Sequence, residues 1–297
     1  MRTVFLGTSA FAAGVLELMG ESDHRPALVV TRPDRPRGRG RRIESPPVAV
    51  TARDLGLELD QPADVNSDAA RARIAAAEPD VVCVCAFGAL IKEPLLSEHE
   101  MLNVHPSLLP RWRGAAPIER AIQAGDEETG VSIMRVTAGL DSGPVCLAAV
   151  EPIRPDDTYG TLAERLMPVG AELLLRALDE GPSCQEQDDA LATYAEKVAG
   201  EDRRLDPALP AALLERTVRA LDPHVGAYVE LEGGDRLRVR AARADDEATA
   251  TPGKLAADGD RLLLGCADGA LELLTVQPAG GRAMDAAAYL RGHPLAG

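Results

Sequence analysis

Residues 80–86 read Asp-Val-Val-Cys-Val-Cys-Ala, and residues 101–105 read Met-Leu-Asn-Val-His. The first run has no polar residue between Asp80 and Ala86. A strand apolar at every position is covered on both faces, as in the middle of a parallel sheet flanked by helices. Working back from it, 3–7 and 27–31 have the same character. Between them, 10–19 places Phe11, Val15, Leu16 and Leu18 at helical spacing. Beyond an arginine-rich loop, 47–55 reads as helix, 57–59 as strand and 69–77 as helix. This alternation predicts a doubly wound, Rossmann-like α/β domain.

Further along the pattern changes. A short helix is expected over 117–124, then strands over 130–137 and 144–151 separated by Ala-Gly-Leu-Asp-Ser-Gly, then a long amphipathic helix over 158–178. Residues 182–206 have little apolar periodicity and many acids, which suits a connection. A helix over 210–221 precedes short strands at 226–232, 236–242, 252–256, 261–265 and 270–277. Gly233-Gly234, Asp258-Gly259 and Asp268-Gly269 punctuate them, the habit of a small OB-like β-barrel. The expected division is 1–184 catalytic, 185–206 linker and 207–297 terminal barrel.

The chain has 297 residues, 45% of them hydrophobic but only 3% aromatic, and a net charge of -15. That charge argues against nonspecific binding to nucleic acid. Residues 32–42 run the other way, with six arginines against one aspartate, a local +5. The five cysteines, odd in number and sparse, argue against a disulfide framework. Cys83 and Cys85 read as structural residues of a buried strand and Cys146 as core. His24, His99, His224 and His293 have polar neighbours and read as surface residues. There is no zinc-type ligand spacing, so no metal is expected. No run of 18 apolar residues is present, and the first residues lack a signal-peptide pattern. A cytoplasmic monomer without a membrane span is the expectation.

In doubly wound sheets ligands bind beyond the carboxyl ends of the strands. Asn103 and His105 lie at such an end and, two residues apart, share a face. Asp141 follows in the Ala138–Gly143 turn, where Gly139 and Gly143 permit close backbone approach. These side chains suit acyl transfer: Asn donates to a carbonyl oxygen gaining charge, His moves a proton, and Asp orients the imidazole. On spacing alone the alternative stands that His105 merely ends a strand and Asp141 makes an Asx-turn. No covalent nucleophile is evident, and Gly7-Thr8-Ser9-Ala10-Phe11 is neither a nucleophile elbow nor a dinucleotide loop. A substrate amine could attack directly.

The stretches NVHPSLLPRWRGAAPIERAI (103–122), GDEETGVSIM (125–134) and GLDSG (139–143) resemble the 10-formyltetrahydrofolate-dependent formyltransferases. Three features are similar to the methionyl-tRNA branch in particular: RWRGAAPIERAI, the loop TRPDRPRGRGRRIESPPV (31–48), and TYAEKV (193–198) with LLTVQPAGGRAM (273–284). The resemblance spans nearly the whole chain. It implies formyl transfer from 10-formyltetrahydrofolate to the amine of initiator methionyl-tRNA, with Asn103, His105 and Asp141 as the catalytic trio. It further implies that Ser107, Leu108, Leu109 and Pro110, with Phe87, Gly88, Ala89 and Leu90, hold the folate, and that Arg39, Arg41 and Arg42 contact the tRNA. Two departures are Ser9, where the family usually has proline, and Pro106. A relative acting on a nucleotide-linked amine, or an inactive folate- or tRNA-binding paralogue, are the alternatives.

Overall fold

The computed structural model describes all residues except 38–41, 232, 294, 296 and 297. They group into two compact units: 1–117 with 128–152 and 163–195, and 118–127 with 153–162 and 196–297.

The first unit holds a seven-stranded sheet in the order Val145–Pro152, Glu128–Arg135, Met101–His105, Val81–Cys85, Thr3–Gly7, Leu28–Val30, Leu59–Asp60. The last five run parallel, while Glu128–Arg135 and Val145–Pro152 are added antiparallel. Val81–Cys85 pairs with Thr3–Gly7 on one side and Met101–His105 on the other, and all five of its residues are buried. Its unbroken apolar run is thereby explained. Burial pushes the Cys83 thiol up to about 12 and raises Cys85 as well, so both are inert structural thiols. Chain order reverses between Thr3–Gly7 and Val81–Cys85. The Thr8 hydroxyl spans that switch point by donating to the carbonyl of Phe87 at 2.7 Å. Ser9 caps helix Ala10–Gly20 by accepting from the Ala12 amide, a role suited to serine.

The arginine-rich stretch contains a hairpin, Arg35–Arg37 against Arg42–Glu44, which local pattern did not indicate. Its base is tied through its single aspartate. Asp34 accepts from the Gln61 amide at 2.7 Å and the Ser45 hydroxyl at 2.9 Å. Arg53 donates in turn to Ser45 and Gln61.

The second unit carries an antiparallel sheet, Ala227–Glu230, Arg236–Asp245, Ala270–Gln277, Arg261–Gly265, Leu255–Asp258, with Met284–Asp285 paired to Ala270–Gln277. Its core joins Leu214, Val218 and Leu221 of helix Ala211–Leu221 to Leu237, Val239, Leu262, Leu271 and Leu273 of the strands. Tyr289, on the terminal helix Ala286–Gly292, joins the same core. That helix was not expected, since a seven-residue alanine-rich run has too little periodicity to be recognised.

Two sequence expectations are corrected. Cys146 is not a free core residue: it forms a disulfide with Cys184, 38 positions away. The pairing of Val145 with Gln185 brings the two together, and nothing in the local sequence reports that register. His24 is buried, not exposed, and its Nε2 lies 2.7 Å from the Asp179 carboxylate. No helix among the described residues is long and apolar enough to cross a membrane.

Candidate active site

Asn103 and His105 stand at the carboxyl end of a central strand, opposite Met134 and Ser132 of the antiparallel neighbour. His105 is buried, and its Nε2–H donates to the carbonyl oxygen of Trp112 at 2.9 Å. A carbonyl can only accept, so Nε2 carries the hydrogen and Nδ1 is the nitrogen that takes up or releases a proton. Nδ1 faces the Asp141 carboxylate at 3.7 Å. Asp141 is held independently, because its Oδ2 accepts the Gly114 amide at 2.8 Å. The Asn103 carboxamide has no hydrogen-bond partner among the described residues. The three residues read from the strand and turn are therefore assembled, with one free donor beside a fixed imidazole. The reading of His105 as a mere strand end does not account for this.

Backbone conformation at the site is unusual. Trp112 has φ +62° and Asp141 φ +45°, the left-handed region where side chains other than glycine are uncommon. At Gly114, φ is +121° and an added Cβ would lie 2.7 Å from the Ala195 carbonyl oxygen. At Gly143 it would lie 1.9 Å from the carbonyl oxygen of Arg135. Only glycine lets these turns close on the neighbouring backbone. Trp112 thus acts through its carbonyl, while its ring lies beneath the Arg111 guanidinium at 4.5 Å.

Several supports escaped sequence reading. Ser132 accepts the Leu109 amide at 3.1 Å and donates to the Ser107 carbonyl at 2.8 Å, tying the 106–110 loop to the adjacent strand. Thr193 accepts the Trp112 amide at 2.9 Å, and Tyr194–Ala195 pairs in parallel with Arg113–Gly114. These last residues lie within the segment read as a connection. Their pairing spans about eighty positions, beyond the reach of local periodicity.

The implied folate residues divide. Leu109 and Pro110 help line a cleft of about 390 Å³, shared with Val145, Leu147 and Gln187. The Ser107 side chain is fully buried and donates to the Arg111 carbonyl at 2.6 Å, so it shapes the loop rather than a lining. Leu108 packs over Gly130, where an added Cβ would fall 2.6 Å from its Cδ2. The Phe87 ring belongs to the core cluster with Val4, Leu6 and Val84, whereas Gly88, Ala89 and Leu90 are exposed just beyond it. Arg39 and Arg41 lie outside the described residues, and Arg42 opens the second hairpin strand. Among the described residues no three His, Cys, Asp or Glu side chains converge as metal ligation would need.

Residues 1–178 match the formyl transferase family and residues 197–294 match the formyl transferase C-terminal domain. The chain is 43% identical over 299 residues to a methionyl-tRNA formyltransferase of Ruegeria pomeroyi, covering 99% of this chain and 98% of that one. It is likewise 43% identical over 304 residues to that of Methylococcus capsulatus, covering 100% and 98%. Among solved structures, the methionyl-tRNA formyltransferase of Clostridium thermocellum superposes with a TM-score of 0.60 at 15% identity, over 83% of this chain and 95% of that one. HypX of Aquifex aeolicus, in complex with tetrahydrofolic acid, superposes with a TM-score of 0.67 at 19% identity, over 98% of this chain and 47% of that one. At such identities the two superpositions speak for the fold alone.

Proposed function

The chain belongs to the formyl transferase family, and from that membership we propose that it transfers a formyl group from 10-formyltetrahydrofolate to the α-amine of initiator methionyl-tRNA. The observation that carries this reading is the imidazole of His105, held through Nε2 by the Trp112 carbonyl, with Asp141 at Nδ1 and the free carboxamide of Asn103 on the same strand face. Full-length relatives bearing that activity supply the choice of substrate.

10-Formyltetrahydrofolate supplies the formyl group as an activated amide. Asn103 donates to the formyl oxygen as it gains negative charge, and protonated His105 donates there from Nδ1. Asp141 stabilises the imidazolium and takes the proton from the attacking amine. As the new C–N bond forms and the bond from the formyl carbon to N10 breaks, His105 gives its proton to N10, tetrahydrofolate leaves, and the proton on Asp141 restores the imidazolium. The fit rests on two features: an unpartnered carboxamide donor beside a ring whose other nitrogen is occupied, and exposed Gly88, Ala89 and Leu90 with Leu109 and Pro110 around it. These would hold the folate. In this reading residues 1–184 carry the chemistry, 185–195 brace the site, and 207–297 grip the tRNA in the cytoplasm.

In this reading the tRNA contacts are Arg39, Arg41 and Arg42, of which Arg39 and Arg41 lie outside the described residues. A second cationic surface supports the reading. Arg236, Arg238 and Arg240 alternate along one strand and so share a face, and Arg236 stacks over Tyr228 at 4.3 Å. Residues 206–297 hold 14 acids and 10 bases, a net charge of -4, and three of the ten bases are gathered on this face of the strand. The deciding experiment compares formylation of charged initiator tRNA with that of glycinamide ribonucleotide. Turnover of the tRNA alone is expected, and preference for the nucleotide would overturn the substrate assignment.

A further inference from the structure

The turn bearing Asp141 has a problem of its own. Asp141 sits at φ +45°, a strained conformation that persists only where its surroundings impose it. Its carboxylate must nonetheless stay within reach of His105. The Gly114 amide holds one carboxylate oxygen, but that bond fixes the side chain and leaves the backbone of the turn to be restrained by something else.

The restraint comes from Gln187, 46 positions later in sequence. Its Nε2 donates to the Asp141 carbonyl at 2.8 Å and to the Gly143 carbonyl at 2.7 Å. Its Oε1 accepts from Arg113 Nε at 2.9 Å. Guanidinium has only donors, so the amide oxygen must face Arg113 and the NH2 must face the two carbonyls. Both amide hydrogens and one oxygen lone pair are used, and all three point at the site. The anchor is itself well fixed. Arg113 is buried, follows directly on Trp112 and donates from its other arm to Asp189 at 2.8 Å. On the opposite side, Val145 and Gln185 exchange backbone hydrogen bonds at 2.8 Å, and the Cys146–Cys184 disulfide lies beside them.

We infer that Gln187 is a positioning residue for catalysis: it clamps the Asp141 turn at both ends and couples it, through Arg113, to the loop whose Trp112 carbonyl holds His105. One carboxamide thereby links the supports of both titratable members of the trio. The inference rests on the reading of Asp141 as catalytic. Gln187 touches no reacting atom, and both of its amide N–H groups go to the turn of Asp141, so its loss alters the reaction chiefly through Asp141.

The test is a double-mutant cycle on the full chain, read as formylation of charged initiator tRNA with 10-formyltetrahydrofolate. Gln187→Met keeps the length of the side chain and removes its donors. We expect kcat to fall roughly 10–100-fold, as a carboxylate displaced by about 1 Å implies, with KM for the tRNA unchanged. In an Asp141→Asn background, the same substitution is expected to cost nothing further. Full turnover by Gln187→Met overturns the inference. So does an equal, additive loss in the Asp141→Asn background, because Gln187 would then act independently of Asp141. Should Gln187→Met fail to fold, Gln187→Glu keeps an acceptor for Arg113 and replaces the donor NH2 by a charged oxygen facing the two carbonyls, and the same pair of outcomes decides. Wild-type turnover by Asp141→Asn alone is a different result, which overturns the catalytic reading of Asp141 and the inference with it.

Discussion

The Nε2–H of His105 donates to the carbonyl oxygen of Trp112 at 2.9 Å, and its Nδ1 stands 3.7 Å from the Asp141 carboxylate. A flipped ring would leave a buried N–H without its acceptor, so the tautomer is set by the backbone. The proton chemistry is confined to the nitrogen that faces Asp141. Removing one oxyanion donor typically costs ~10²–10³ in rate. Asn103→Ala and His105→Ala are each expected to lose that much in kcat while binding of folate, measured by calorimetry, persists. Near-wild-type turnover in either would remove that residue from the chemistry.

Gly114 is expected to tolerate no side chain. At φ +121° with the Ala195 carbonyl oxygen 2.7 Å from an added Cβ, Gly114→Ala must push the strand pair apart or move the amide that holds Asp141. A lower melting temperature together with a loss in kcat is the expected outcome. Overpacking of this kind costs about 1–3 kcal/mol. Unchanged melting and turnover would show that the loop relaxes freely.

The disulfide makes a chemical prediction. Cys83, Cys85 and Cys266 are free and buried, whereas Cys146 and Cys184 are bonded to one another. In denaturant without reductant three thiols should react, and with reductant five. Closing a loop with a sequence separation of 38 restricts the unfolded chain by roughly 4 kcal/mol on the entropic account. The paired change Cys146→Ser with Cys184→Ser should therefore lower stability by an amount of that order. Five reactive thiols in the unreduced protein would contradict the bridge.

Asp34 is expected to matter for tRNA rather than for chemistry. Hydrogen bonds from the Gln61 amide and the Ser45 hydroxyl hold its carboxyl below the usual carboxylate range. Its pKa is thus lower folded than unfolded. The stabilisation of the hairpin base is present above the unfolded value and is lost as pH falls through the folded one. Asp34→Asn should raise KM for tRNA and leave kcat unchanged. Arg41→Ala with Arg42→Ala should raise the same KM and flatten its dependence on salt. An unaltered KM in both variants would show that the hairpin does not meet the tRNA.

Much of the fold was legible because burial on both faces of a strand leaves an unbroken apolar run, as in Val81–Cys85, and because one buried helix face imposes its own period, as in Ala10–Gly20. Asn103 and His105 were legible for a similar reason: residues two apart on a strand share a face wherever that strand lies. Ser132, Thr193 and Gln187 were not. Each acts on a loop 23 to 81 positions away through one to three polar contacts, and such contacts impose no period on the sequence. His24 and the Cys146–Cys184 pair were misread for the same cause.

The sequence by itself determined the order and kind of most elements, the doubly wound core, the small antiparallel unit and the choice of Asn103, His105 and Asp141 as the proposed trio, since local propensity, patterning and motif are all properties of neighbours along the chain. Only the tertiary structure decided which nitrogen of His105 is free, how Asp141 is held in a left-handed turn, and that Gln187 joins the two supports. Those are consequences of backbone carbonyls and amides meeting across long separations, where orientation to within an ångström, rather than residue type, sets the chemistry.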